Sequence, residues 1–311
     1  MHVDPIIVDQ YSKWIYPEPE YDLTKYARSN PTKFAGDDPF HLRDVYWPQS
    51  NFTPKTLLVA GCGANQAAVL AYLNPSLEVV GIDLSEPSLS HSEGLKEKYN
   101  LSNLSLERLS IYDVDRLESQ FDLITSTGVI HHLPDPDQGL ASLTGVLSDG
   151  GRMSLMVYHR FARLGVYMLQ DFFKSIGLDQ GEESLKAVKD TLSWIQVNAP
   201  QHPVMQYVKG SDELQFDTAI VDTFLHNQDR SYSVREIVEA LELAGLEFGG
   251  WLNPMDFSIQ LFKDKSFPMI EQLDQLNGWE RADAVSRLSP RTGLISLFAG
   301  KKGQRSEEHT S

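Results

Sequence analysis

Three residues have the types and the spacing to hold a nucleoside: Gly61, Gly63 and Asp83. The glycines lie in the run VAGCGANQ, directly after the apolar stretch Leu57-Leu58-Val59-Ala60. Glycine there lets the backbone turn sharply and approach a ligand where any Cβ would collide. Asp83 follows a second apolar stretch, Glu78 to Ile82, at the place where nucleoside-binding folds set a carboxylate on ribose hydroxyls. Two carboxylate oxygens suit two hydroxyls. His131 and His132 stand just past a later apolar stretch, Phe121 to Ser126. An imidazole can take a proton from a hydroxyl or an amine, so either histidine is a candidate base. The alternative is an ordinary strand-to-helix turn in which the histidine bonds to the backbone. A second polar group, Asp222, His226, Asp229, Arg230 and Tyr232, reads either as a solvated loop or as a set facing a substrate. Tyr11, Trp14 and Tyr16 are core anchors or lid aromatics. No histidine–carboxylate spacing matches a metal-ligand motif, and none is expected.

The glycine pattern discriminates between cofactors. A pyrophosphate fingerprint, G-x-G-x-x-G, counted from Gly61 needs glycine at 66, and the chain has Gln66. That third glycine serves close helix–strand packing, which Gln66 would crowd. S-adenosylmethionine (SAM) carries ribose, adenine and a methionine tail but no phosphate. It fits a two-glycine turn plus Asp83 better than a nicotinamide dinucleotide does. A purely structural turn is the remaining alternative.

Positioning these residues requires alternating strands and helices. A continuous apolar run such as Leu57–Ala60 suits a strand buried on both faces of a parallel sheet. Helices are expected over Gln66–Leu73, Pro87–Tyr99 and Asp137–Leu147, and strands at Leu104–Leu109, Phe121–Ser126 and Met153–Tyr158, with a turn at Asp149-Gly150-Gly151. The alternation predicts an α/β, doubly wound Rossmann-like sheet. Ligands of such sheets bind beyond the carboxyl ends of the strands. That rule nominates Gly61, Gly63, Asp83, Leu84, Ser110, Ile111, Thr127 and Tyr158 as rim positions, with Leu84 and Ile111 placed to sandwich an adenine.

The organisation divides into an N-terminal arm or lid (1–50), a cofactor core (51–160), a helical insertion walling a substrate pocket (161–230) and a C-terminal completion of the fold (231–300). In the insertion, Leu164–Ile176 and Glu183–Val197 read as helices, followed by a stretch bearing Pro200 and Pro203. In the last part, Ser233 to Glu236 is a capping box opening a helix that stops at Gly245. Strands are expected at Glu247–Leu252 and Leu294–Ala299, with a helical stretch around Ile270–Leu288. Residues 301–311 form a polar tail. Its end, Arg305 to Ser311, reads as a translated sequencing adapter and is set outside the fold.

Several of these segments resemble the class I SAM-dependent methyltransferases. VAGCGANQ with VVGIDLSEPSLSH is similar to their first two motifs, FDLITSTGVIHHLPDP to the fourth-strand motif, and LSDGGRMSLMVY to the entry into the fifth strand. Asn65 stands where the family has a third glycine, and asparagine tolerates the left-handed backbone that position would need. Tyr16 to Pro19 and Asp222 to Tyr232 extend the likeness to a bacterial subgroup. The resemblance implies methyl transfer from SAM to a small or medium-sized acceptor. It also implies an acid after the third strand to read the adenine amine; here that position is Ser110, with Asp113 three residues on. His131 and His132 are the catalytic candidates, and Tyr16, Tyr158, His226, Arg230 and Tyr232 the substrate candidates. A SAM-binding regulator without transfer activity and a nicotinamide-dependent oxidoreductase are the competing readings.

Charge and composition narrow the partners. Twenty-seven basic against 43 acidic residues leave −16, with no basic run to track a phosphate backbone, so a nucleic-acid substrate is disfavoured. No apolar stretch approaches the roughly 20 residues of a membrane helix. The start, MHVDPIIVDQYSKW, lacks the features of a signal peptide. A single cysteine allows no disulfide framework. A cytoplasmic enzyme is expected.

Overall fold

The computed structural model describes residue 14 and residues 18–29, 43–47 and 52–303. Tyr11, Tyr16 and the tail from 304 onward lie outside the described residues.

Every residue of the apolar run in β1 (Thr56–Ala60) after Thr56 is buried. Leu58 and Ala60 pack into one hydrophobic cluster, while Leu57 and Val59 pack into another. Side chains alternate across a strand, so β1 is covered on both faces. It pairs in parallel with β2 (Glu78–Asp83) and β4 (Phe121–Thr127). β3 (Leu104–Arg108) extends the sheet beyond β2, and β5 (Leu147–Tyr158) extends it beyond β4, both parallel. Beyond β5 lie β7 (Leu294–Lys301) and then β6 (Leu246–Trp251), each antiparallel to its neighbour. The order is β3-β2-β1-β4-β5-β7-β6. An antiparallel strand thus sits where an all-parallel dinucleotide fold has its sixth.

The expected turn at Asp149 to Gly151 is instead a bulge inside β5. Phe121 pairs with Leu147 but Leu123 with Arg152, so extra residues loop out of the ladder. The bulge has a use. Trp47, buried, donates from its indole to the Gly150 carbonyl at 2.8 Å, and Arg152 donates to the Tyr46 carbonyl at 2.9 Å.

The insertion after β5 has its own core. Val166, Phe173, Val188, Val204 and Phe224 pack together there, drawn from helices Leu164–Ser175, Glu182–Asn198, Val204–Gly210 and Asp217–Phe224. The proline-bearing stretch, 199–203, joins the second of these helices to the third, and the fourth occupies part of the expected loop. The capping box at Ser233 is present in full, and its helix runs over Val234–Leu243. The single helical stretch expected around Ile270–Leu288 divides into Ile270–Asp274 and Gly278–Leu288.

Candidate functional site

The glycine turn is wound by two left-handed residues, Gly61 (φ +76) and Gly63 (φ +54). A Cβ on Gly61 would stand 2.4 Å from a methyl group of Val129, so the turn also needs glycine for space. Two elements tie it down. The amides of Gly61 and Cys62 donate to the Ile82 carbonyl, and the Gly63 amide donates to Asp83 Oδ2 at 2.8 Å. Asp83 Oδ1 accepts from the Ser85 amide, also at 2.8 Å. Removal from water pushes the Asp83 pKa above the ordinary carboxylate value, and the amide bonds from Ser85, Gly63 and Leu84 offset part of that. Each oxygen keeps further lone-pair capacity. Asp83 therefore fixes the turn and remains able to accept from hydroxyls.

Asn65 corrects one expectation. Its φ is −129°, so no left-handed backbone is required there. Its side chain reaches outward instead. Nδ2 donates to the Glu18 carbonyl at 2.8 Å and Oδ1 accepts from the Glu20 amide at 2.9 Å. Gln66 is buried and donates to Thr127 Oγ1 at 3.1 Å, joining the first and fourth strand ends. Ser110 accepts from the Tyr112 amide and Ile111 is buried beside it. Asp113 Oδ2 is buried without a hydrogen-bond partner, and the Asp113 amide donates to the carbonyl of Ser110, the rim position.

The second polar group is not a solvated loop. Asp222 lies within the helix Asp217–Phe224, and both it and His226 are buried. A bridge between Tyr232 and the end of β5 explains the convergence. Tyr232 donates its amide to the Tyr158 carbonyl, and Arg230 donates its amide to the His131 carbonyl. That pairing lays residues 226–232 along the ends of β4 and β5. His131 and His132, in the short turn Ile130–His132, then meet them. The His132 ring stacks on His226 at 3.8 Å and 21°, and the His131 ring lies 3.9 Å from that of Tyr158. Tyr158 in turn contacts Asp222 Oδ2 through its hydroxyl at 3.1 Å.

Both stacked histidines are tied to Gln228, in opposite senses. His132 Nδ1 lies 3.0 Å from the Gln228 carbonyl, and His226 Nδ1 accepts from the Gln228 amide at 3.0 Å. A carbonyl only accepts, so His132 carries a proton on Nδ1, and in the neutral ring Nε2 is the lone pair. Burial, with the neighbouring charges of His132, Arg163 and His226, holds His131 well below the ordinary histidine value. Burial and His132 do the same to His226. Asp229 is pushed up by burial, with His132 and Arg163 working against it.

The remaining substrate candidates separate. Arg230 is exposed, with its guanidinium 4.7 Å from the centre of the Tyr232 ring. Tyr232 is fully buried in the main core, and burial pushes its hydroxyl up to about 12. Arg163 was not anticipated. It is 1% exposed, its guanidinium lies 3.6 Å from the centre of the Tyr158 ring, and Nη1 donates to Tyr207 at 2.8 Å. An arginine in a polar loop, HRFARL, carries no signal of burial in its type or spacing.

A mixed sheet in this order, with a two-glycine turn bonded to an acid at the end of β2, is an α/β doubly wound domain. Residues 58–153 match the family model for a methyltransferase domain. An uncharacterized protein of Synechococcus is 28% identical over 253 residues, covering 79% of this chain and 60% of the relative. The ubiquinone biosynthesis O-methyltransferase of Coxiella burnetii is 23% identical over 37% of this chain and 48% of its own. Among solved structures, PKMT2 of Rickettsia typhi in complex with AdoHcy superposes with a TM-score of 0.65 at 16% identity, over 80% of this chain and 49% of that one. The plantazolicin methyltransferase BamL, in complex with a desmethylPZN analog and SAH, gives 0.51 at 16% identity over 94% of each chain. The chain therefore carries, over residues 58–153, a match to a methyltransferase domain, on a fold shared with these two structures. It spans 60% or less of the Synechococcus and Coxiella relatives it matches. No described helix is long and apolar enough to cross a membrane.

Proposed function

We propose that the protein transfers the methyl group of SAM to a small or medium-sized acceptor that reacts through a protonated oxygen or nitrogen. The observation that carries this reading is the buried histidine cluster at the end of β4, beside the cofactor rim. In the transfer, an acceptor lone pair forms a bond to the methyl carbon as the carbon–sulfur bond breaks. The products are the methylated acceptor and S-adenosylhomocysteine. The sulfonium carbon is already electrophilic, so holding the partners in line can supply about 7–11 kcal/mol. The acceptor must also lose a proton, and a positioned base contributes about 10²–10⁴-fold.

Each residue then has a task. Gly61 and Gly63 let the backbone approach the methionine end of SAM, and Asp83 accepts from the ribose hydroxyls. Leu84 and Ile111 flank the adenine. Asp113, rather than Ser110, takes the adenine amine, because its Oδ2 is the unpartnered acceptor there. Ser110 holds the turn, and Thr127, bonded to Gln66, closes the rim. His132 is the preferred base, since its Nδ1 bond to Gln228 leaves Nε2 free to receive a proton. His131, Tyr158, His226 and Asp222 surround it, and the helical insertion forms the wall of the pocket.

The test is release of S-adenosylhomocysteine from SAM in the presence of a panel of hydroxy and amino acceptors. His132→Gln should lower turnover by about 10²-fold or more while SAM affinity is unchanged. Unchanged turnover in a folded variant would remove His132 from the chemistry.

A further inference from the structure

The polar cluster holds more unpartnered buried atoms than proton transfer uses. His131 is fully buried, yet neither of its ring nitrogens has a hydrogen-bond partner. Asp229 Oδ1 is likewise buried and unpartnered. Leaving such groups unsatisfied in the interior is costly. A ring nitrogen of His131, a ring nitrogen of His132 and a carboxylate oxygen of Asp229 all lie within 4.8 Å of one another.

The surroundings of these atoms have the form of an outer ligand shell. His132 points Nδ1–H at the Gln228 carbonyl, which directs its Nε2 lone pair away from the backbone. The other oxygen of Asp229, Oδ2, accepts from the Gln170 side chain, Nε2, at 3.1 Å. Contacts of this kind orient the imidazoles and carboxylates that ligate metals. We propose that His131, His132 and Asp229 bind one divalent transition-metal ion. Two imidazoles and a carboxylate suit zinc, cobalt, nickel or ferrous iron, while magnesium and calcium favour all-oxygen sets. Three protein ligands leave room in the coordination sphere for water or an acceptor oxygen.

A second set, His132, Asp222 and His226, meets the same distance criterion but fails on protons. His226 Nδ1 is occupied as acceptor from the Gln228 amide, which places the proton on Nε2. Neither nitrogen is then available to an ion. Asp222 already accepts from the Tyr158 hydroxyl. His226 instead supports the His132 ring by stacking. Arg163 opposes a cation electrostatically, although its guanidinium is directed to the Tyr158 ring and the Tyr207 hydroxyl. An ion held by His132 Nε2 takes the lone pair that would otherwise receive the acceptor's proton, so with metal bound His132 is a ligand and not the base. The metal proposal itself rests on the ligand atoms alone, whether or not the protein transfers methyl groups.

The experiment titrates the full chain, stripped with a chelator and desalted, with cobalt(II) followed by visible absorption, and with zinc(II) followed by calorimetry. The expected result is one equivalent bound, with cobalt ligand-field bands. Asp229→Asn and His132→Gln should each weaken binding by about tenfold or more. X-ray absorption at the zinc edge of the unsubstituted protein should show two imidazoles, which decides the matter if a variant does not fold. Absence of binding by the folded wild-type chain would overturn the proposal, as would undiminished binding by both ligand variants. Titration with SAM in parallel reports on the methyltransferase reading separately.

Discussion

Asn65 and Glu20 are joined side chain to main chain across the rim of the cofactor turn, with Asn65 Oδ1 accepting from the Glu20 amide at 2.9 Å. The partner bond, from Asn65 Nδ2 to the Glu18 carbonyl, makes a two-point clamp on the N-terminal segment. His91 holds the same segment through the Glu20 carbonyl at 2.8 Å. Trp14, four residues before Glu18, donates to the Gln180 carbonyl in the helical insertion. The arm thus has one anchor on the insertion and another on the glycine turn. A residue at the family's third glycine position has become a fastening for the arm.

Removing the clamp should loosen the arm and leave the sheet intact. Asn65→Ala loses two hydrogen bonds, each worth about 0.5–1.5 kcal/mol. Limited proteolysis should cleave the N-terminal 30 residues or so faster in the variant, with the remaining core equally resistant. Equal cleavage rates would show that the clamp contributes nothing.

The insertion depends on one close helix approach. A Cβ on Gly165 would stand 2.0 Å from the Val204 backbone nitrogen, and backbone cannot move aside as a flexible side chain can. Gly165→Ala should therefore destabilise the protein by about 1–3 kcal/mol or more, read as a lower thermal midpoint. An unchanged midpoint would mean that the two helices separate at little cost.

Stability should fall as pH drops below neutrality. His131, His159 and His226 all have folded pKa values below the ordinary 6.5, chiefly because they are buried. The unfolded chain then binds more protons than the folded one below about pH 6.5, so unfolding becomes easier as acid is added. Each histidine contributes a slope of at most about 1.4 kcal/mol per pH unit. Asp83 and Asp229 are raised from 3.8, so their slopes have the opposite sign and lie in the window just above that value. Denaturant titrations between pH 5 and 7 should show the decline, and His131→Phe should reduce it. A flat profile would contradict the assignment of these rings as buried and neutral.

The glycine turn and its tie to Asp83 were legible because their signals are local. Gly61, Gly63 and Asp83 fall within one strand–turn–helix–strand unit, where residue order is also spatial order. The helix Gln66–Leu73 was read to the residue for the same reason. The convergence of the histidine turn with the second polar group was not legible. His131 and Asp229 are almost 100 positions apart and meet only because the Tyr158–Tyr232 pairing returns the chain to the sheet edge. The helix Asp217–Phe224 was missed because its polar residues Asp222 and Thr223 face inward, against the usual amphipathic pattern. The bulge in β5 was read as a turn, since Asp-Gly-Gly has the same composition in either setting.

The most direct measurement is calorimetric titration of the protein with SAM and, separately, with NADH, for wild type and Asp83→Ala. SAM should bind the wild type, NADH should not, and Asp83→Ala should lose about 1.5–3 kcal/mol of SAM affinity, the scale of charged hydrogen bonds. A folded wild-type protein that binds no SAM, or binds it equally well without Asp83, would contradict the account of this site.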